Sequence, residues 1–146
     1  MYLFRLLLGV SLLMGVSACS MVTTPSHKAP ACQGSVVRGC SPTVYFLFDS
    51  DAISLKGQKR LDWAIKKLTR YPNKRVILSA YTDQTGTQKY NMSLSRRRAE
   101  STKKYLMSKD IDASRIAVRV YGMKHPVCRD AHRCAYLNRR VVLTIK

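Results

Sequence analysis

Apolar and polar positions alternate in two different rhythms along residues 43–146, and each rhythm predicts an element. Thr43 to Asp49 (TVYFLFD) is β-branched and aromatic nearly throughout, which predicts a strand ending at Asp49. From Ser54 to Arg70 the period changes to that of a helix. Leu61, Ala64, Ile65 and Leu68 share one narrow face, while Lys59, Arg60, Lys66 and Lys67 occupy the rest. Trp63 lies opposite that stripe, as a packed edge residue or a partner anchor. Tyr71-Pro72-Asn73 ends the helix, because proline cannot continue it. A second strand is predicted over Lys74–Tyr81, a helix from Asn91 to Leu106, a third strand over Ile116–Gly122 and a fourth over Arg139–Ile145. Met123–Leu137 is a predicted loop. The order β-α-β-α-β-β gives a two-layer α/β sandwich.

The chemistry concentrates where the second strand meets the second helix, Tyr81–Leu106 (YTDQTGTQKYNMSLSRRRAESTKKYL). Asp83, Thr85 and Gly86 have turn chemistry, since Asp bonds nearby backbone N–H groups and Gly accepts a positive φ. Asn91 is the predicted N-cap. On a wheel of about 100° per residue, Leu94, Ser95, Arg98, Ala99, Thr102, Tyr105 and Leu106 fall in one arc about 140° wide. Arg98 is the only charge on that face. Helical side chains lean toward the N-terminus, so its guanidinium reaches back toward the Asp83 turn. An acid and a base meeting near free helical amides suit a ligand carrying both an ammonium and a carboxylate. The same spacing equally fits a structural arrangement, in which Asp83 caps its own turn or pairs with Arg98.

The start of the chain changes the picture. Arg5 precedes an apolar run, Leu6–Val16, of about 11 residues, too short to span a bilayer. Val16-Ser17-Ala18-Cys19 resembles the lipobox of bacterial lipoproteins, which implies a signal peptide over residues 1–18 and acylation (palmitate among the acyl chains) at Cys19. Ser20, where sorted lipoproteins retained elsewhere carry Asp, implies the outer membrane. Residues 19–42 are rich in Ser, Thr, Pro and Gly and predict a tether spanning roughly 25–30 Å. The folded domain is then 43–146. The formal charge is +18, from 26 basic and 8 acidic residues. Such a balance suits a polyanion. Export argues against nucleic acid and leaves peptidoglycan carboxylates, or the phosphates of lipopolysaccharide and lipid head groups.

Thr82, Asp83, Gly86, Tyr90, Asn91, Leu94, Ser95, Arg98 and Ala99, at their fixed spacing, resemble the signature of the OmpA-like peptidoglycan-binding domain family. The resemblance runs from about Val44 to the C-terminus, through Phe48-Asp49 and Asn138-Arg139-Arg140-Val141. It implies a domain that binds peptidoglycan without a cofactor. On that resemblance Asp83 and Arg98 are expected to grip the diaminopimelate of the stem peptide, with Asn91, Leu94 and Thr85 shaping the pocket, Asp49 neighbouring it and Arg140 adding a second positive contact. One departure is Ala80-Tyr81 where the family has Gly-His, which sets a bulkier group at the pocket edge; Thr102 likewise replaces a Val.

His125, Cys128, His132 and Cys134 present two Cys and two His, a zinc donor set by composition. The spacing matches no established zinc module. Export and the family both point instead to disulfides. Cys32, Cys40, Cys128 and Cys134 allow three pairings, and the local ones are Cys32–Cys40 with Cys128–Cys134. No Cys–His or Ser–His pair comes with a third orienting group, so the reading is a binder and not an enzyme. Two functions follow. One is a lipid-anchored protein tethering the outer membrane to peptidoglycan, its domain in the periplasm. The other is a structural subunit of an envelope machine (a secretion apparatus, a flagellar or Tol–Pal-like complex) held to the wall by this domain.

Overall fold

A computed structural model describes residues 41–130 and 132–146. The signal peptide, Cys19, the tether and the Cys32–Cys40 pair expected above lie outside the described residues. The elements are β1 (Thr43–Tyr45), α1 (Leu55–Arg70), β2 (Val76–Tyr81), α2 (Gln88–Met107), β3 (Ile116–Gly122) and β4 (Arg140–Ile145), with short 3-10 turns at Ala113–Arg115 and Ala135–Leu137. The sheet order is β1-β4-β2-β3. β4 runs antiparallel to both β1 and β2, and β2 runs parallel to β3. This is the two-layer α/β sandwich that the alternating periods predict.

Both helices cover one face of the sheet, α1 over β1 and β4, α2 over β2 and β3. Strand alternation sets the core. Val76, Leu78 and Ala80 of β2 point to the helices, as do Val141 and Leu143 of β4. They meet Leu61, Ala64 and Leu68 from α1 and Ala99 and Leu106 from α2. Leu61 and Leu68 are fully buried, each contributing about 1.5–3 kcal/mol by removal from water. α1 starts at Ser54, whose Oγ accepts from Gly57 N at 3.2 Å. Among the described residues no helix is long and apolar enough to cross a membrane.

Two element bounds differ from the sequence reading by more than two residues. The first strand ends at Tyr45, not Asp49. Beyond Phe46 the backbone carbonyls of Leu47 and Ser50 turn toward Arg98 instead of a neighbouring strand, and Asp49 takes a left-handed φ of 51°. α2 starts one turn earlier than expected. Its N-cap is Thr87, whose hydroxyl accepts from Tyr90 N at 3.2 Å. Asn91 is inside the helix and its side chain serves the preceding turn.

Candidate ligand-binding site

The turn between β2 and α2 is built almost entirely by the signature residues. Asp83 Oδ1 accepts from Thr85 N at 3.2 Å, closing an Asx-type turn. Gly86 has φ 89°, a conformation that favours glycine. Asn91, buried, donates from Nδ2 to Thr85 O at 2.8 Å and so fixes the turn to the helix. Ser95 Oγ donates to Asn91 O at 2.8 Å and accepts from Gly122 N at 3.1 Å, which locks α2 to the end of β3. Leu94 and Ala99 pack inward. Tyr90 donates its hydroxyl to Asp49 Oδ1, joining the helix start to the β1–α1 loop. That bond pushes the Tyr90 phenol above its ordinary value.

Among the described residues Arg98 is the largest fully buried side chain, with no exposed surface. Its Nε donates to Ser50 O at 2.8 Å, Nη1 to Tyr81 O at 3.3 Å and Nη2 to Leu47 O at 3.0 Å. The guanidinium also lies 5.3 Å from the Phe46 ring centroid. Three carbonyls from two chain segments therefore converge on one cation. Burial pulls its pKa down to about 10, Asp83 opposes that shift and Arg139 adds to it. It is still cationic at neutral pH. The inward position expected from the wheel is observed, but the structural Arg98–Asp83 pair is not formed. Asp83 pairs instead with Arg139, Nη1 to Oδ2 at 3.0 Å, both partners mostly buried. Arg139 Nε also donates to Phe46 O at 3.2 Å.

Asp83 is 6% exposed and lines a small open hollow of about 80 Å³. Asp83, Gln84 and Thr85 form one wall, and Cys128, Arg129 and Asn138 belong to the other. The second wall is braced. Cys128 and Cys134 are joined by a disulfide, with Cα atoms 5.8 Å apart. That bond uses the two thiolates a zinc site would need. Buried Asn138 accepts on Oδ1 from Val127 N at 2.8 Å and Cys128 N at 3.1 Å, and donates from Nδ2 to Cys128 O at 2.6 Å. Asp130 Oδ1 accepts from His132 N at 2.9 Å and Arg133 N at 3.0 Å. These backbone donors hold the Asp130 carboxyl below the usual range.

The sequence-derived residues therefore separate by place. Asp83 and Thr85 line the hollow. Asn91 ties to the turn through Thr85 O and Arg98 to its start through Tyr81 O, and neither they nor buried Leu94 line the hollow. Asp49 sits in the β1–α1 loop against Tyr90. Arg140 is on the opposite face of the sheet. Its guanidinium stacks 4.0 Å from the Tyr81 centroid, and Nη2 donates to His125 O at 3.3 Å. Burial lowers its pKa. Tyr81 stacks on Tyr121 at 4.9 Å and 6°. Tyr81 thus occupies a ladder across β4, β2 and β3 and is not among the residues lining the hollow. The sequence pattern alone does not mark Arg129, Arg139 or Asn138 as site residues. A signal for Arg139 existed: Val141 and Leu143 point inward, so by strand alternation residue 139 shares their side and Arg140 does not.

Residues 45–135 match the OmpA family. A peptidoglycan-associated lipoprotein of Buchnera aphidicola subsp. Baizongia pistaciae is 35% identical over 102 residues, 69% of this chain and 59% of the relative. Its counterpart in Haemophilus influenzae is 37% identical over 102 residues, 69% of this chain and 67% of the relative. The chain thus spans about three fifths to two thirds of the length of these curated relatives. The crystal structure of the peptidoglycan-associated lipoprotein from Burkholderia pseudomallei superposes with a TM-score of 0.68 at 26% identity, over 72% of this chain and 90% of that one. The C-terminal domain of Helicobacter pylori MotB shares the fold, with a TM-score of 0.64 at 20% identity over 73% of this chain and 84% of that one. The match covers both helices, β2, β3, the signature turn and the disulfide loop, and the chain belongs to the OmpA family.

Proposed function

We propose that this chain is a lipid-anchored outer-membrane protein whose periplasmic domain binds peptidoglycan non-covalently, through the diaminopimelate of the stem peptide, and catalyses no reaction. The observation that carries the proposal is Asp83, a nearly buried carboxylate that lines a hollow bounded by the family's signature turn. Its two oxygens each accept one protein hydrogen bond and keep lone pairs for a ligand ammonium. The cations Arg139 and Arg129 stand near or on the same hollow, so a ligand of mixed charge is favoured over a simple cation. The names of the relatives, peptidoglycan-associated lipoprotein, support the same reading. The Val16–Cys19 motif supports the lipid anchor, and with it the outer membrane. Arg98 enters as a positioning residue, since it ties the Leu47 and Ser50 backbone to Tyr81, two residues before Asp83. Asp83→Asn is expected to abolish retention on purified diaminopimelate-type sacculi, while far-UV circular dichroism stays as in the wild type. Retention of the variant would exclude this pocket.

A second reading, that the protein is a structural subunit of an envelope complex, has its own support. Leu47 and Phe48, on the loop from β1 into α1, are 74% and 63% exposed, and Leu55, the first residue of α1, is 77% exposed. Neighbouring exposed apolar side chains suit a protein partner. Recovery of a stoichiometric complex from detergent-solubilised membranes, lost in Phe48→Ser, would establish that role. Recovery of the chain alone would exclude it.

A further inference from the structure

Cations crowd one side of the molecule. On α1, at about 100° per residue, Lys56, Lys59, Arg60, Lys66, Lys67 and Arg70 fall in one arc about 120° wide. Trp63 is at the centre of that arc, no acid falls within it, and the core stripe of Leu61, Ala64 and Leu68 faces the other way. Trp63 is 42% exposed, with Lys67 Nζ 5.4 Å from its ring centroid. Tyr71, also exposed, ends the helix beneath the Arg70 guanidinium. α2 covers the same face of the sheet, so its outer side looks the same way. That side adds Lys89, Arg96, Arg97, Lys103 and Lys104, with Glu100 as its one acid. Asp62 sits between the two helices and accepts from the Tyr105 hydroxyl at 3.1 Å. Arg60 Nη1 donates to Thr43 O at 2.7 Å, which ties α1 to the strand by which the chain enters the domain.

We infer that the outer face of the helix layer is a membrane-docking surface, which seats on the phosphate head groups of an anionic leaflet with Trp63 at head-group level. The inference rests on the lipid-anchored reading above and goes beyond it. The acyl group holds the chain to a bilayer, and this face sets which way the domain lies on it. Three observations select a bilayer over another polyanion. The cations spread across two adjacent helices as a layer, which suits a flat array of phosphates. A tryptophan set among cations joins an amphipathic ring to basic residues, the pairing that favours a membrane interface. The chain enters the domain at β1, which packs on α1, so the expected tether of roughly 25–30 Å starts beside this face. Lipid chains and a polybasic surface reinforce each other as anchors. None of these cations lines the hollow beside Asp83, so membrane and wall can be held at once.

Trp63 is the only tryptophan of the chain, so its fluorescence reads the contact directly. The test uses the full chain, extracted in detergent with disulfides intact and reconstituted into vesicles of phosphatidylcholine alone or mixed with phosphatidylglycerol. Each vesicle carries a lipid with a quencher near the head group. Quenching of Trp63 is expected in the phosphatidylglycerol vesicles, weakening as salt rises, and not in the neutral ones. Combining Lys59→Gln, Lys66→Gln and Lys67→Gln should lower the docked-to-undocked ratio by up to about 100-fold and remove the quenching. That variant should still float with the vesicles. Combining Arg119→Gln, Lys124→Gln and Arg129→Gln takes the same charge from β3 and the loop after it, and should change nothing. Equal quenching in neutral and anionic vesicles, none in either, survival in the α1 variant, or an equal loss in the second variant would overturn the inference and leave the anchor standing. Loss of sacculus binding in the α1 variant, with Trp63 unquenched on anionic vesicles, would give the face to the wall and overturn membrane docking. Failure of the wild-type chain to float with either vesicle would overturn the lipid-anchored reading, and the inference with it.

Discussion

Replacing Arg98 by Met keeps most of the side chain's length and removes the guanidinium. Three hydrogen bonds from a charged donor are lost, to Ser50, Tyr81 and Leu47. At about 1.5–3 kcal/mol each, the gross loss is about 5–9 kcal/mol. Burying the cation is itself unfavourable, as its pKa near 10 records, and Met removes that penalty of several kcal/mol. The net destabilisation is about 2–4 kcal/mol, with the released carbonyls left short of donors. For a domain with an m-value of about 2 kcal/mol/M, the urea midpoint falls by about 1–2 M. Hydrogen exchange should locate the damage in residues 46–51, where Leu47 and Ser50 lose their anchor. Arg98→Lys should lie between the two, since one ammonium cannot serve three divergent carbonyls. A midpoint within about 0.3 M of wild type, together with complete loss of wall binding, would refute this reasoning. Arg98 would then be a ligand group and not a clamp.

Other consequences follow from particular contacts. Gly122 has φ 57°, and a Cβ there would sit 3.0 Å from Met92 Sδ and 3.3 Å from Met92 N; Gly122→Ala should cost about 1–3 kcal/mol in thermal or urea unfolding. Removing the Cys128–Cys134 bond, which closes a loop of sequence separation 6, should cost about 2 kcal/mol; wall binding should fall further than stability does, because the loop forms one wall of the hollow. Tyr90 keeps its proton above the ordinary value because Asp49 accepts it. The folded state therefore favours the protonated phenol. That contribution is full below about pH 10 and is lost as pH rises through the raised folded value. Tyrosine-resolved NMR titration should show Tyr90 moving to lower pH in Asp49→Asn.

The helices and the last two strands could be placed from the sequence because their signals are local. Leu61, Ala64, Ile65 and Leu68 mark α1, and Ser54 caps it. Ile116–Gly122 has the predicted bounds. Arg98 could be placed inside because it alone breaks an apolar arc. Its partners could not, since carbonyls carry no side-chain signature, and Leu47 O and Ser50 O lie about 50 positions away in sequence. The same limit hid the Asp83–Arg139 pair. It depends on β4 being threaded between β1 and β2, which no short-range pattern states. Asn91 has a cap residue's chemistry but one turn too late; Thr87 caps the helix, and Asn91 is freed to hold Thr85 O. Arg129 was invisible for another reason. An exposed arginine among 26 basic residues has no distinguishing mark until the hollow beside it is seen.

The central claim is that a stem peptide binds between the Asp83 turn and the disulfide loop. Titrating the isotope-labelled chain with a soluble diaminopimelate-containing muropeptide, and following backbone amides by NMR, tests it most directly. The account predicts saturable shifts at Asp83, Gln84, Thr85, Cys128 and Arg129, absent in Asp83→Asn and weak with a lysine-containing muropeptide. Shifts confined to α1 or to the Tyr81–Tyr121 face of the sheet, or none at all, would contradict it.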